Sequence, residues 1–150
     1  MYNKKTLVLQ ITREDFYTIL NGEQKIEHRY VYPSVWGKYF ISDDEVVKLA
    51  QKEGVSLDDE KFYLNQDKFL RHYDTLVLIN GRRKDSPRLE IKIEEIHVYL
   101  CENQKGEVLT FMHKGEEWQL RMIEISVGKL ISCQNVDEKM YKGDKSLIQR

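Results

Sequence analysis

Residues 22–29 read GEQKIEHR and directly follow a short amphipathic helix. If residues 25–30 are extended, alternate side chains face opposite sides of the strand. The charged side chains of Lys25, Glu27 and Arg29 then project together. The opposite face carries one apolar residue and two amphipathic rings: Ile26, His28 and Tyr30. This pattern indicates either a polar site on a core strand or the charged solvent-facing side of a half-exposed strand.

The composition fits one domain that can bury a hydrophobic core. The chain has 150 residues, 33% of them charged, and its formal net charge is −1. This balance argues against coating long nucleic acid through bulk charge, although a local basic site is compatible with it. The two cysteines, Cys101 and Cys133, form no Cys-x-x-Cys motif, and the longest N-terminal apolar run is Leu7-Val8-Leu9. We therefore expect a cytoplasmic protein without membrane contact.

The N-terminal part of the chain has the pattern of a strand, a helix and a second strand. Residues 5–11 predict the first strand. Thr12 offers an N-cap and Gly22 offers a C-cap, so the helix lies between them. Its apolar stripe consists of Phe16, Ile19 and Leu20.

An acidic helical segment follows the motif strand. Ser42 and Glu45 repeat the capping pattern. Residues 42–60 contain seven acids against two lysines, a net charge of −5. Because such a segment repels phosphate, we interpret it as a solvated lid or a packing appendage.

The second half of the chain predicts strands of a curved sheet. Residues 75–79 are apolar after their threonine, as in a strand covered on both faces. Residues 88–94 alternate between charged and apolar, and the apolar parity then shifts by one residue in 96–100. A similar shift occurs within residues 120–125. Such shifts are typical of β-bulges, which help a sheet curl into a barrel.

The loop between these strands concentrates positive charge. Residues 80–88 have a net charge of +3 on a chain whose total is −1. Their basic side chains are Arg82, Arg83, Lys84 and Arg88. Guanidinium groups bind phosphate oxygens two at a time, so these side chains are candidate phosphate contacts. A solubilising hairpin turn has the same composition.

Three aromatic residues lie in or shortly after the motif strand: Tyr30, Tyr32 and Trp36. Rings beside cations can hold a nucleobase by stacking, at roughly 1–3 kcal/mol per base. Rings in strands also serve as ordinary packing, and the sequence leaves both roles open.

Lys25 and Glu27 form a candidate catalytic pair. A lysine desolvated in a cleft and a nearby carboxylate can move protons to or from an activated water. The same residues could instead pair with Arg29 and hold the geometry of the strand. The sequence has no P-loop, no G-x-G-x-x-G, no nucleophile elbow and no convincing set of metal ligands. We therefore expect no metal and no cofactor.

The order of these features resembles the ASCH domain, a family of the PUA-like β-barrel superfamily. Its signature runs roughly Gly-x-Lys-x-x-Glu-x-Arg after the first helix, and Gly22, Glu27 and Arg29 occupy matching positions. Gln24 stands at the position of the signature lysine, and Lys25 is the next residue. Three later segments resemble the central, return and closing strands of the family: 73–81, 87–99 and 122–131.

The resemblance covers most of residues 5–131 and implies an α+β fold. This fold is a small mixed PUA-like β-barrel with flanking helices and a helical insert after the motif strand. We expect the ASCH/PUA-like domain to span residues 1–133. Periodicity is lost after Ile131, which predicts a weakly ordered C-terminal tail over residues 134–150.

Members of the family are associated with RNA binding, so the resemblance implies a module that binds RNA, a nucleoside or a nucleotide in a charged cleft. The candidate binding residues are Arg29, Tyr30, Trp36, Arg82, Arg83, Lys84 and Arg88. Other members are similar to enzymes that hydrolyse the acetyl amide of acetylated cytidine or cut RNA. The alternative is therefore a hydrolase, amidohydrolase-like or ribonuclease-like, with Lys25 and Glu27 as its catalytic residues. In the amidohydrolase-like members, however, a threonine stands at the position of Glu27.

A third function remains open. The acidic segment 42–60 could meet a basic partner, which would make the chain a protein-interaction domain. The sequence does not determine the oligomeric state.

Overall fold

The computed structural model describes residues 5–150, and within them the chain is an α+β protein, as the sequence predicts. The strands are β1 (Thr6–Gln10), β2 (Ile26–Val31), β3 (Thr75–Ile79), β4 (Arg88–Leu100), β5 (Thr110–His113), β6 (Glu116–Gln119), β7 (Arg121–Gln134) and β8 (Ile148–Gln149). The α-helices are α1 (Arg13–Leu20), α2 (Trp36–Tyr39) and α3 (Asp43–Glu53). Short 3₁₀ turns lie at Pro33–Val35, Glu60–Tyr63, Gln66–Phe69 and Lys145–Leu147. None of the helices described is long and apolar enough to cross a membrane.

Six strands form one mixed sheet in the order β1-β3-β4-β7-β2, with β8 beside β7. β1 runs parallel to β3, with Thr6 opposite Thr75, whereas β3 and β4 are antiparallel. β5 and β6 form a separate antiparallel hairpin, with Phe111 opposite Trp118. For the part of the chain that is described, this order leaves β1 and β2 at the two ends of the sheet. The closed PUA-like barrel therefore stays a prediction.

The chain divides into two compact units, each assembled from separate segments. Unit 1 comprises the residues up to Glu27, His72–Glu95 and Ile125–Arg150. Unit 2 comprises His28–Arg71 and Ile96–Glu124. Strands β2, β4 and β7 continue from one unit into the other. On β4 the crossing coincides with the predicted parity shift, where the exposed Glu94 and Glu95 follow the buried Ile93.

Helix α1 of unit 1 forms because its capping residues and its apolar stripe define the same segment of the chain. Thr12 Oγ1 accepts a hydrogen bond from Asp15 N at 3.4 Å. Gly22, just past the C-cap, has a φ of +74°, which glycine adopts without steric cost. Phe16 and Ile19 are buried. The predicted helix and its buried stripe are confirmed.

The C-terminal segment of unit 1 has defined contacts where lost periodicity predicts a weakly ordered tail. Tyr141 is buried, and its hydroxyl donates to Asp144 O at 2.6 Å. The Lys145 ammonium lies 4.9 Å from the centroid of the same ring. Asp137 N donates to Tyr17 Oη at 2.9 Å, and β8 pairs with the end of β7. One buried residue, Tyr141, produces no repeating apolar pattern in the sequence, so periodicity does not detect this packing.

Helix α3 of unit 2 begins the acidic segment as the capping pattern predicts. Ser42 Oγ accepts from Glu45 N at 3.2 Å, and the Glu45 carboxylate accepts from Ser42 N at 3.1 Å. Two of its acids form ion pairs, Glu45 with Arg71 at 3.6 Å and Glu53 with Lys68 at 3.3 Å. Charged pairs therefore tie the acidic segment to the rest of unit 2.

Candidate ligand-binding cavity

A cavity of about 510 Å³ lies within unit 2. Small-molecule sites commonly measure about 300–1,000 Å³ and combine apolar walls with a few polar groups. The aromatic side chains that line this cavity are Trp36, Phe40, Tyr63 and Phe69. The polar and charged ones are Asp43, Gln66, Gln119 and Arg121. Size and lining both match a ligand site.

Stacked rings form one wall of the cavity. The Trp36 and Phe40 rings have centroids 4.2 Å apart and planes 21° apart. The two residues are one helical turn apart, and Phe40 N donates to Trp36 O at 2.9 Å, so the backbone fixes the pair. Trp118 of β6 meets Trp36 edge-on, with centroids 5.8 Å apart. The Trp36 ring is therefore held in place on two sides.

The acidic segment and the 3₁₀ turns after it contribute further lining residues: Asp43, Val46, Tyr63, Gln66 and Phe69. The Tyr63 and Phe69 rings stack with centroids 5.8 Å apart. Asp67 fixes the second turn to β4, because its carboxylate accepts from Val98 N at 2.8 Å and contacts His97 Nδ1 at 2.9 Å. The segment interpreted from its charge as a lid or an appendage is thus part of the cavity wall.

Arg121 supplies the positive charge of the cavity. Its Nε donates to Gln66 Oε1 at 2.9 Å, and its two terminal nitrogens donate to the carbonyl and the side-chain oxygen of Gln119 at 3.2 and 3.4 Å. The guanidinium carbon lies 5.3 Å from the centroid of the Trp36 ring, within cation–π range. Burial lowers the pKa of this guanidinium from its usual value, yet arginine stays protonated.

The hydrogen bonds of Arg121 leave donors available for a ligand. A guanidinium has five N–H donors in a planar fork, and these bonds use three of them. One donor on each terminal nitrogen therefore has no hydrogen-bond acceptor within residues 5–150, and no carboxylate in that range pairs with the group. These two donors, together with the positive charge of the half-buried group, are suited to an anion.

The motif strand turns its charges inward. Glu27 is 8% exposed and Arg29 is half-buried, whereas Ile26 is 39% and Tyr30 48% exposed. The interpretation of a charged solvent-facing side is therefore wrong, because the solvent-facing side carries Ile26, His28 and Tyr30. Glu27 is the last residue of its segment of unit 1, and Arg29 belongs to unit 2.

The candidate catalytic pair lies in two different environments. Lys25 is exposed and precedes β2, and its carbonyl accepts from Val127 N at 2.9 Å. Glu27 is buried within unit 1. Alternation of charged residues predicts that Lys25 lies inside the strand, whereas β2 begins at Ile26. An exposed ammonium lacks the desolvation that the proton-handling role requires.

The basic loop belongs to unit 1 and folds around a buried serine. Ser86 is 5% exposed, and its Oγ accepts from Arg83 N at 2.8 Å. Gly81 has a φ of +125°, and a Cβ there would come within 2.6 Å of Ser86 Oγ, so the turn requires glycine. Arg82, Arg83 and Lys84 are exposed, and Arg88 is half-buried at the start of β4.

Tyr30 contributes to a separate aromatic surface of unit 2. Its ring centroid lies 6.2 Å from that of Tyr32, which in turn lies 6.0 Å from that of Phe111. Of the binding residues predicted from the sequence, Trp36 is among those that line the cavity, and Tyr30 is not.

Sequence reasoning missed Arg121 and Gln66. Arg121 stands between Leu120 and Met122 at the start of β7, and a lone cation in an apolar strand is a signal that could have identified it. Gln66 carries no such signal, because its role comes from a hydrogen bond to a residue 55 positions away.

Within residues 5–150, no group of three or more His, Cys, Asp or Glu side chains is placed to hold a metal ion. No protein-family model matches the chain. Searches of the curated proteins and of the solved structures find no match either. The class of protein has to be inferred from the cavity and from the residue pattern.

Proposed function

We propose that this protein is an RNA- or nucleotide-binding module of the ASCH-like, PUA-like class. In this proposal the cavity of unit 2 holds the base and one phosphate of the ligand. The observation that carries the proposal is Arg121, a half-buried guanidinium over Trp36 whose fork keeps two donors available among the described residues. The order of first helix, motif strand, acidic insert and mixed sheet supports the same class.

The lining of the cavity suits a base joined to an anion. Stacking a base on an aromatic ring contributes roughly 1–3 kcal/mol. A hydrogen bond to a charged group contributes about 1.5–3 kcal/mol, which favours a phosphate at Arg121. The amides of Gln66 and Gln119 line the same cavity and can pair with the edge of a base.

Hydrolysis of a nucleoside amide or of RNA gains no comparable support. The exposed Lys25 and the buried Glu27 do not share one environment. Hydrolase activity remains a prediction of the family resemblance, and a protein-interaction role remains a prediction from the charge of the acidic segment.

The test is isothermal titration calorimetry with the four nucleoside 5′-monophosphates and with a single-stranded RNA oligonucleotide. We expect saturable binding, and a loss of affinity of roughly 10- to 100-fold in Arg121→Gln because a charged hydrogen bond is removed. Arg121→Lys keeps the charge but not the fork and should be intermediate. Lys105→Gln, in an exposed turn of unit 2, is the control.

Circular dichroism of each variant establishes that it is folded. Unchanged affinity in a folded Arg121→Gln would contradict the proposal. The same holds if the wild-type protein binds neither a nucleotide nor RNA at millimolar concentration.

A further inference from the structure

The charged residues that line the cavity restrict which nucleotides it can bind. This inference rests on the proposed function. Among the described lining residues, Arg121 is the one cation and Asp43 the one anion. We infer that the ligand is a free nucleoside monophosphate held through a single phosphate, and that di- and triphosphates and nucleic-acid strands bind more weakly.

One guanidinium is matched to one phosphate. The two donors of Arg121 that remain available among the described residues lie on different terminal nitrogens, and because Gln119 takes one donor of each, they point apart. A phosphate therefore accepts from one of them and is attracted by the single positive charge of the group. Gln66 and Gln119 hold the fork through its other donors, which preorganises it for that group. A second phosphate finds no further cation in the described lining.

Two of the cations that follow α3 already pair with acids of that helix. Arg71 pairs with Glu45, and Lys68 pairs with Glu53 while lying 4.3 Å from the centroid of the Phe62 ring. The first turn of α3 carries three acids, Asp43, Asp44 and Glu45, and Asp43 lines the cavity. An added phosphate close to Asp43 meets a like charge, which weakens binding by about fivefold at 4 Å even in water.

The negative charge of unit 2 also disfavours a nucleic-acid strand, which carries many phosphates. Unit 2 carries ten Lys and Arg against thirteen Asp and Glu, a net charge of −3. Residues 42–60 alone have a net charge of −5. Affinity for a polymer of phosphates grows with the number that a protein neutralises, and an acidic surface neutralises few. The acidic segment therefore favours a small ligand that brings one anionic group.

Titration calorimetry with adenosine, cytidine, guanosine, uridine and their 5′-mono-, di- and triphosphates tests this inference. EDTA is present so that no divalent cation masks the charge. For the preferred base, the monophosphate should bind tightest, and each added phosphate should weaken binding about fivefold. The nucleoside without phosphate should bind roughly 10-fold or more weakly. A single-stranded RNA 10-mer should bind more weakly than the monophosphate.

A substitution of Asp43 tests whether the negative charge on the cavity wall disfavours a second phosphate. Asp43→Asn should raise the affinity for the diphosphate relative to the monophosphate by about threefold or more, because it removes the repelling charge. Asp58→Asn changes an exposed acid of the same segment that is not among the lining residues, and should leave that ratio unchanged within about twofold.

The outcomes separate this inference from the proposed function. If a triphosphate or the RNA binds as tightly as the monophosphate, and Arg121→Gln still weakens binding, the single-phosphate inference fails and the proposed function stands. Equal ratios in Asp43→Asn and the wild-type protein also overturn the inference. If no nucleotide and no RNA binds, both are overturned.

Discussion

Unit 1 and unit 2 bury different kinds of side chain. Of the ten largest fully buried side chains in residues 5–150, nine lie in unit 1, and the tenth is Ile123 of unit 2. Unit 2 instead stacks aromatic rings around a cavity of about 510 Å³. Close packing stabilises a fold, whereas a binding site needs space and polar groups that reduce stability. This difference predicts that unit 1 contributes most of the stability, and it agrees with the proposal that unit 2 binds the ligand.

The largest expected effect is a loss of stability in unit 1. Phe16 is 0% exposed, so Phe16→Ala removes a buried ring and leaves a void. We expect the free energy of unfolding to fall by about 3–5 kcal/mol, measured by urea denaturation.

Phe40→Ala in unit 2 is the matched comparison. Phe40 is also buried, but it borders the cavity, so part of its surroundings is already unfilled. We expect a smaller loss of stability together with weaker nucleotide binding. An equal or larger loss at Phe40 would contradict the assignment of stability to unit 1.

The next effect concerns the C-terminal segment. Tyr141→Ala removes a buried ring and the hydrogen bond to Asp144 O, so we expect a loss of about 2–4 kcal/mol in the free energy of unfolding. Met140→Ala, at an exposed neighbour, should change it by less than about 0.5 kcal/mol. Equal stability of the two variants would indicate that residues 134–150 are weakly ordered, as the loss of periodicity predicts.

Local features of the fold could be read from the sequence because they depend on neighbouring residues. Thr12 and Gly22 delimit α1, and Ser42 with Glu45 forms the capping box of α3. The parity shift of β4 could also be read, because alternation is a property of the strand itself. The sequence does not predict that this shift lies where β4 passes from the residues of unit 1 to those of unit 2. That division depends on which segments of the chain pack together.

The candidate site depends on contacts between distant parts of the chain, so only fragments of it could be predicted. The sequence identifies Trp36 as an aromatic residue near the motif, but its partners Trp118 and Arg121 come from other elements. The sequence does not determine which face of β2 is buried, because alternation shows only which residues share a face. Charge alone misjudged the acidic segment, since apolar and polar residues within and after it line the cavity.

A smaller effect is expected at the cap of α3. Ser42→Ala removes the acceptor for Glu45 N and should lower the free energy of unfolding by about 0.5–2 kcal/mol. Because α3 contributes Asp43 and Val46 to the cavity, nucleotide affinity should fall as well, by less than in Arg121→Gln. Ser56→Ala, which removes a hydrogen bond in an exposed turn, is the control. A larger effect in Ser56→Ala than in Ser42→Ala would show that the cap does not support the wall.

The smallest effect is expected in the basic loop of unit 1. Replacing Arg82, Arg83 and Lys84 together by glutamine changes three exposed side chains, so stability should change by less than about 0.5 kcal/mol. Affinity for a nucleoside monophosphate should stay within about twofold, because that ligand is assigned to Arg121 of unit 2. If the loop contacts RNA by itself, the triple variant should show a weaker salt dependence of RNA binding. The slope of log K against log salt concentration should fall by about 0.7 for each phosphate contact removed. A fall in monophosphate affinity would contradict the division of roles, since recognition would then depend on unit 1 as well.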